Sequence, residues 1–250
     1  MQGFASYPDI RAKIAERGSR TKEARETEMA LFKPKYITFD CYGTLTRFRM
    51  SEMARDMFVD RIAAEKMDDF VRDFATYRLD EVLGPWKPYR DVLVNALHRT
   101  GKRWGIKTAD EEGEAYYKAV PTWGPHADVS AGLTKVAKEI PLVILSNASN
   151  DQIHSNVEKL GAPFHAVYTA QMAQAYKPRM QAFEFMLDQL GCTPEYILHV
   201  SSSYRYDLMT AHDLRFGMRA FVNRGHEPLI PYYGAHEISD IGGLPALVGL

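Results

Sequence analysis

Only two cysteines, Cys41 and Cys192, occur in the 250 residues, and neither stands at a metal-ligand spacing. That excludes a disulfide scaffold and gives no support to a thiolate zinc site, so a reduced, cytoplasmic chain is the simplest expectation. The sequence also lacks any apolar run near the roughly 20 residues that a membrane span needs. Its start has no basic stretch leading into an apolar one, as a secretory signal has. Charge of one sign is missing too: 31 Lys and Arg stand against 32 Asp and Glu. A nucleic-acid partner calls for a basic face to neutralise phosphates, and this balance supplies none. Repeats and low-complexity segments are absent. What is present is 46% hydrophobic residues over a length that can bury one large core, or a core plus a cap.

Residues 1–35 mix Arg and Lys with Glu and Asp and read as a polar N-terminal extension. Ile10 to Leu31 fits either an exposed helix or a partly disordered segment. Asp9, Glu16, Glu23, Glu26 and Glu28 argue against a mitochondrial presequence, which is poor in acids. Lys35 to Asp40 reads as a buried strand running into a turn at Tyr42-Gly43-Thr44. From Glu52 to about Lys118 the spacing is helical, as Met53, Met57, Phe58 and Ile62 show, and then Phe70, Phe74 and Tyr77. Beyond Pro125 helices and strands alternate. Helices are expected over Leu133–Lys138, Asp151–Leu160, Met180–Leu190 and Leu208–Leu214. Strands are expected over Pro141–Ser146, His165–Tyr168, Tyr196–Val200 and Arg219–Asn223. That alternation predicts an α/β fold with a doubly wound, Rossmann-like parallel sheet and right-handed crossovers. The core is expected over residues 36–50 and 127–250, with a helical cap inserted at 51–126. Trp86, Trp104 and Trp123 are expected to pack the cap, and His199 to be a hydrogen-bonded interior residue.

Ligands of an open parallel sheet bind beyond the carboxyl ends of its strands. Polar residues gather at four such places: Asp40, Tyr42 and Thr44; Ser146 and Asn147; Lys177 before Pro178; and Ser201, Ser202, Ser203 and Asp207. Any one of them alone is an ordinary turn or cap residue. Their order and spacing carry more. Phe39-Asp40-Cys41-Tyr42-Gly43-Thr44-Leu45 resembles the first motif of the haloacid dehalogenase superfamily, and Leu145-Ser146-Asn147 resembles the second. Tyr176-Lys177-Pro178 resembles the third, and Val200-Ser201-Ser202-Ser203 with Asp207 the fourth.

The resemblance makes Asp40 the nucleophile. Phosphatases of the superfamily place a second Asp two residues later, to protonate the leaving alcohol, and an acid in the fourth motif to hold Mg²⁺. Here those positions are Tyr42 and Ser202. A phenol is a poor proton donor at neutral pH, and a hard cation wants anionic ligands. The pattern is similar to the L-2-haloacid dehalogenases, which need neither metal nor other cofactor. By that resemblance Asp40 attacks C2 of a small 2-haloacid and expels halide, and water then hydrolyses the ester. Thr44 and Lys177 orient Asp40; Ser202 and Asp207 position Lys177 and the water. Ser146 and the backbone N–H groups of Cys41 and Tyr42 bind the substrate carboxylate. Asn147 and a cap arginine, Arg72 with Arg78 as the competitor, hold the halide, and Tyr206 forms an aromatic wall. A homodimer is also implied. The chain departs from that family's pattern at Phe183 and Tyr204, and its gap from Val200 to Asp207 is one residue longer. Competing readings are a Mg²⁺-dependent phosphatase and a non-catalytic member that binds a partner through its cap.

Overall fold

The computed structural model describes residues 32–250; the stretch Ile10 to Leu31, expected as an exposed helix or a partly disordered segment, lies outside the described residues. Six strands form one sheet: β1 (Tyr36–Phe39), β2 (Leu142–Ser146), β3 (Ala166–Thr169), β4 (Ile197–Ser201), β5 (Met218–Val222) and β6 (His236–Ile238). Their order is β3-β2-β1-β4-β5-β6, and every pairing is parallel. Strands buried on both faces read as short apolar runs, which is why β2 (LVILS) and β4 (ILHVS) stood out in the sequence. Alternate side chains go to opposite faces. Ile37, Phe39, Leu142, Ile144, Leu198 and Val200 pack on one side against Val129, Leu133 and Val136. Val143, Leu145 and Ile197 pack on the other against Phe183, Met186, Ala211 and Phe216. The three-residue β6 was not anticipated; so short a run carries no alternation to read.

Strand order reverses at β1, since β2 lies on one side of it and β4 on the other. Such a reversal point is where open parallel sheets bind ligands, and Asp40, Ser146 and Ser201 lie at or just past the carboxyl ends of these three strands. Between β1 and β2 the chain is helical: α1 (Met50–Phe58), α2 (Met67–Leu83), α3 (Tyr89–Trp104) and α4 (Asp110–Ala119). These helices bury a core of their own, which includes Phe58, Phe70, Phe74, Leu97, Tyr116 and Trp123. Helix α3 starts after Pro88 and stops at Gly105, whose φ of 66° is a left-handed cap that glycine adopts without strain. The outgoing and returning chains run side by side: Arg47 N–H donates to the Gly124 carbonyl (2.9 Å), and His126 N–H to the Leu45 carbonyl (3.0 Å).

Helix α5 (Val129–Val136) leads into β2, and past β2 come α6 (Asn150–Glu158), α7 (Ala170–Ala173), α8 (Met180–Leu190), α9 (Met209–Asp213) and α10 (Leu244–Leu247). The helix expected over Leu208–Leu214 is preceded by a π turn, Tyr204–Leu208, closed by Leu208 N–H donating to the Ser203 carbonyl (3.1 Å). A π turn holds one residue more than an α turn. Asp207 lies in this turn and is fully buried.

Candidate active site

Asp40 follows the last residue of β1 and is 7% exposed. The turn after it closes tightly: Leu45 and Thr46 N–H both donate to the Cys41 carbonyl (2.9 Å each), and Gly43 N–H to that of Thr46 (2.7 Å). Gly43 sits at φ 95°, a conformation that side chains resist, and a Cβ there would lie 3.5 Å from Ser202 Oγ. The turn brings Thr44 back beneath Asp40, and its hydroxyl donates to Asp40 Oδ2 (2.7 Å). Thr44 is held in turn by Ser202, whose N–H donates to Thr44 Oγ1 (2.9 Å) and whose own Oγ lies 3.1 Å from it.

Lys177 is 1% exposed, and all three ammonium protons are engaged. It donates to Asp40 Oδ1 (2.9 Å), Asp207 Oδ1 (2.7 Å) and the Leu145 carbonyl (2.8 Å). Its backbone is clamped by Asn147, which accepts from Lys177 N–H (2.8 Å) and donates to its carbonyl (2.9 Å). Asp207 is fully buried, lies 2.9 Å from His199 Nε2 and also accepts from Ser201 Oγ (3.1 Å). Two carboxylates thus share one ammonium. Burial pushes the Asp40 carboxyl up; Lys177 pulls it down and Asp207 adds to the rise, so the net direction is up. Burial acts on Asp207 in the same sense, but Lys177 and His199 outweigh it and hold that carboxyl below its ordinary range. Burial disfavours the Lys177 ammonium, and the two carboxylates more than restore it, so its pKa rises.

The remaining predicted residues fall in different places. Ser146 Oγ is buried and has no hydrogen-bond partner among the described residues. The Cys41 thiol is buried near Thr46 Oγ1 (3.7 Å), and burial raises its pKa to about 12, so it stays protonated. The Tyr42 side chain turns away from Asp40, and its hydroxyl donates to Asn156 Oδ1 (2.8 Å). Burial pushes that phenol far above its ordinary value. Tyr206 is half-buried beside Val82, Val92 and Tyr176, and it senses the charges of both Arg78 and Asp40.

Arg72 requires a correction. Its side chain is 73% exposed and paired with Asp69 (2.8 Å) on the solvent face of α2. Arg78 is the arginine that turns inward. Its guanidinium lies over Phe48 (5.2 Å) and Phe74 (4.9 Å), and its buried Nε has no hydrogen-bond partner. It acts electrostatically on Tyr89, Tyr116 and Tyr206, and among the described residues no carboxylate pairs with it. Helical spacing held the signal: Phe70, Phe74 and Arg78 follow one another at four-residue steps along one face, and Arg72 falls off it. Trp86 also departs from expectation. It stacks on Tyr176 (4.8 Å) and, with Tyr89, Tyr117, Ser149 and Gln171, lines a cleft of about 390 Å³ between helical block and core.

A family model described as haloacid dehalogenase-like hydrolase matches residues 34–214. The chain belongs to that family. This haloacid dehalogenase-like hydrolase is 23% identical over 206 residues to the (S)-2-haloacid dehalogenase of Xanthobacter autotrophicus, covering 78% of each chain. Its fold matches that of the L-2-haloacid dehalogenase from Xanthobacter autotrophicus with chloropropionic acid covalently bound. The TM-score is 0.69 at 20% identity, over 86% of this chain and 98% of that one. The fold also matches a putative HAD-hydrolase from Bacillus subtilis bound to magnesium. There the TM-score is 0.73 at 13% identity, over 87% of this chain and all of that one. No helix among the described residues is long and apolar enough to cross a membrane.

Proposed function

We propose that this hydrolase dehalogenates a small 2-haloacid to the 2-hydroxyacid through an ester on Asp40. One observation carries the reading: Asp40 is held by Lys177 and Thr44 on separate oxygens, and an inward-turned arginine that lacks an anion shares with it the neighbour Tyr206. Each Asp40 oxygen accepts one donor and keeps a lone pair for attack. The helical block is the cap, and it brings Arg78 over the core. In the first step an Asp40 oxygen attacks C2 and the halide departs with the bonding pair toward Arg78, whose planar donors suit a leaving anion. Ser146 Oγ and the N–H groups of Cys41 and Tyr42 hold the substrate carboxylate. In the second step water attacks the Asp40 carbonyl carbon, giving up its proton as the hydroxyacid leaves and Asp40 is restored. Asn147, Lys177, Ser202, Thr44 and Asp207 position these groups.

A Mg²⁺-dependent phosphatase would need oxygens free to hold the cation and an acid for the leaving alcohol. Asp207 already accepts from three donors, Ser202 is neutral, and the Tyr42 hydroxyl is turned to Asn156. These residues fit Mg²⁺ poorly. Halide release from a panel of 2-haloacids, with and without EDTA, tests the reading. Release unaffected by EDTA is the expected result. Phosphate release from phosphomonoesters that depends on Mg²⁺ would replace it. Release of neither would favour the non-catalytic alternative.

A further inference from the structure

Three polar residues stand in register across the sheet: Thr38 on β1 and His199 on β4, both fully buried, and the half-buried Arg219 on β5. The Arg219 guanidinium is engaged elsewhere, donating to the carbonyls of Phe216 (2.6 Å) and Tyr233 (3.1 Å). His199 is fully buried between the rings of Phe183 and Phe216. Its Nε2 lies 2.9 Å from Asp207 Oδ1, and its Nδ1 lies 2.7 Å from Thr38 Oγ1. From there the contacts continue through Lys177 to Asp40 Oδ1. The reaction written above makes no use of His199.

We propose that His199 is a positioning residue: carrying its proton on Nε2, it anchors Asp207 and through Asp207 fixes the Lys177 ammonium against the nucleophile. The tautomer follows from the partners. An ionised carboxylate can only accept, so Nε2 must donate to it. Nδ1 is then free to accept, and the Thr38 hydroxyl donates to it. An imidazole oriented at one nitrogen presents its other nitrogen in a fixed direction. Asp207 without this donor would keep only Lys177 and Ser201 in a site closed to water, where an under-satisfied carboxylate takes up a proton more readily. Protonated Asp207 would release its share of Lys177, and the ammonium would lose one of three anchors.

His199→Phe tests this, because a phenyl ring fits the aromatic slot and cannot donate. The groups facing the pair are Lys177, Ser201 and Thr44, with Tyr206 and His226 sensing the charge of Asp40; the substitution replaces none of these side chains, and outside the pair it leaves only the Thr38 hydroxyl without its partner. Giving the carboxylate pair a second way to gain its first proton moves that event to higher pH. The acid limb of kcat/KM should therefore rise by about one pH unit. His199→Gln, whose amide N–H can reach Asp207, should bring the limb back. A limb that stays put in His199→Phe would overturn the proposal, as would one that rises equally in His199→Gln. The pH profile rests on the dehalogenase reading, so a second measurement stands apart from turnover. Nitrogen-15 NMR of the His199 ring in the wild-type chain should show the proton on Nε2, and a ring protonated on Nδ1 would overturn the proposal with or without activity.

Discussion

At the scale of single residues the site rests on one ammonium placed between two carboxylates. Removing the ammonium leaves two buried carboxylates uncompensated, which costs several kcal/mol, whereas removing the Asp40 charge leaves Lys177 paired with Asp207. Lys177→Met should therefore lose both activity and stability, whereas Asp40→Asn should lose activity alone. For Asp40→Asn we expect turnover to fall on the order of 10⁴-fold or more, with an unchanged melting temperature. Near-wild-type halide release by that variant would remove the nucleophile from the account. The arginines separate cleanly. Arg78→Lys replaces a planar fork with a hydrated point charge and should lower kcat/KM about 10- to 100-fold, while Arg72→Lys on the solvent face should change nothing. Comparing the two by steady-state kinetics checks which arginine faces the reaction. The pH dependence has a definite sign. Asp40 must be ionised to attack, and its pKa is raised, so the rate is low in acid and climbs as pH passes above the ordinary aspartate value of 3.8. An acid limb below 3.8 would contradict that direction.

At the scale of elements, what matters is how core and helical block hold each other. Helix α6 grips the returning linker. Asn156 donates to the carbonyls of Val120 (3.0 Å) and Trp123 (2.9 Å) and accepts from Tyr42, while Gln152 donates to the Tyr117 carbonyl (2.7 Å). Asn156 is fully buried, so Asn156→Ala strands the Tyr42 hydroxyl, removes a donor from two carbonyls and should cost about 1–3 kcal/mol in a urea titration. On the far side Arg224 donates twice to the Thr44 carbonyl and forks onto Asp128, which also accepts from Ile241 N–H. Burial raises the Asp128 carboxyl, but Arg224 and Ile241 outweigh it and bring the pKa to about 2. A depressed carboxyl stabilises the fold above its unfolded value. That contribution is present above about pH 4 and is lost as pH falls toward 2. Asp128→Asn should flatten the acid side of the stability curve, which thermal melts between pH 2 and 5 can read.

At the scale of the whole molecule, the parts written in period and order were legible, and the parts written in side-chain direction were not. Buried strands such as Leu142–Ser146 and Ile197–Ser201 announced a parallel sheet. Four polar strand and loop ends in sequence announced Asp40, Thr44, Lys177 and Asp207 as neighbours. The direction of Tyr42 toward Asn156 depends on a contact 114 residues away in sequence, and nothing local encodes it. The same holds for His199, whose partners arrive from β1 and from the π turn. Arg72 was misplaced because distance along the chain was weighed above the helical face it occupies. The π turn that carries Asp207 has no local signal in the sequence and shows only in the backbone.

The central claim is that Asp40 itself becomes esterified. A single turnover in ¹⁸O water with enzyme in excess, followed by mass spectrometry of the hydroxyacid and of the Asp40 peptide, tests it most directly. Attack by Asp40 on carbon places an enzyme oxygen in the product and a solvent oxygen in the carboxylate, so the account predicts label in the peptide and none in the hydroxyacid. Label in the hydroxyacid with an unlabelled peptide would mean that water attacks C2 directly, and would contradict the account.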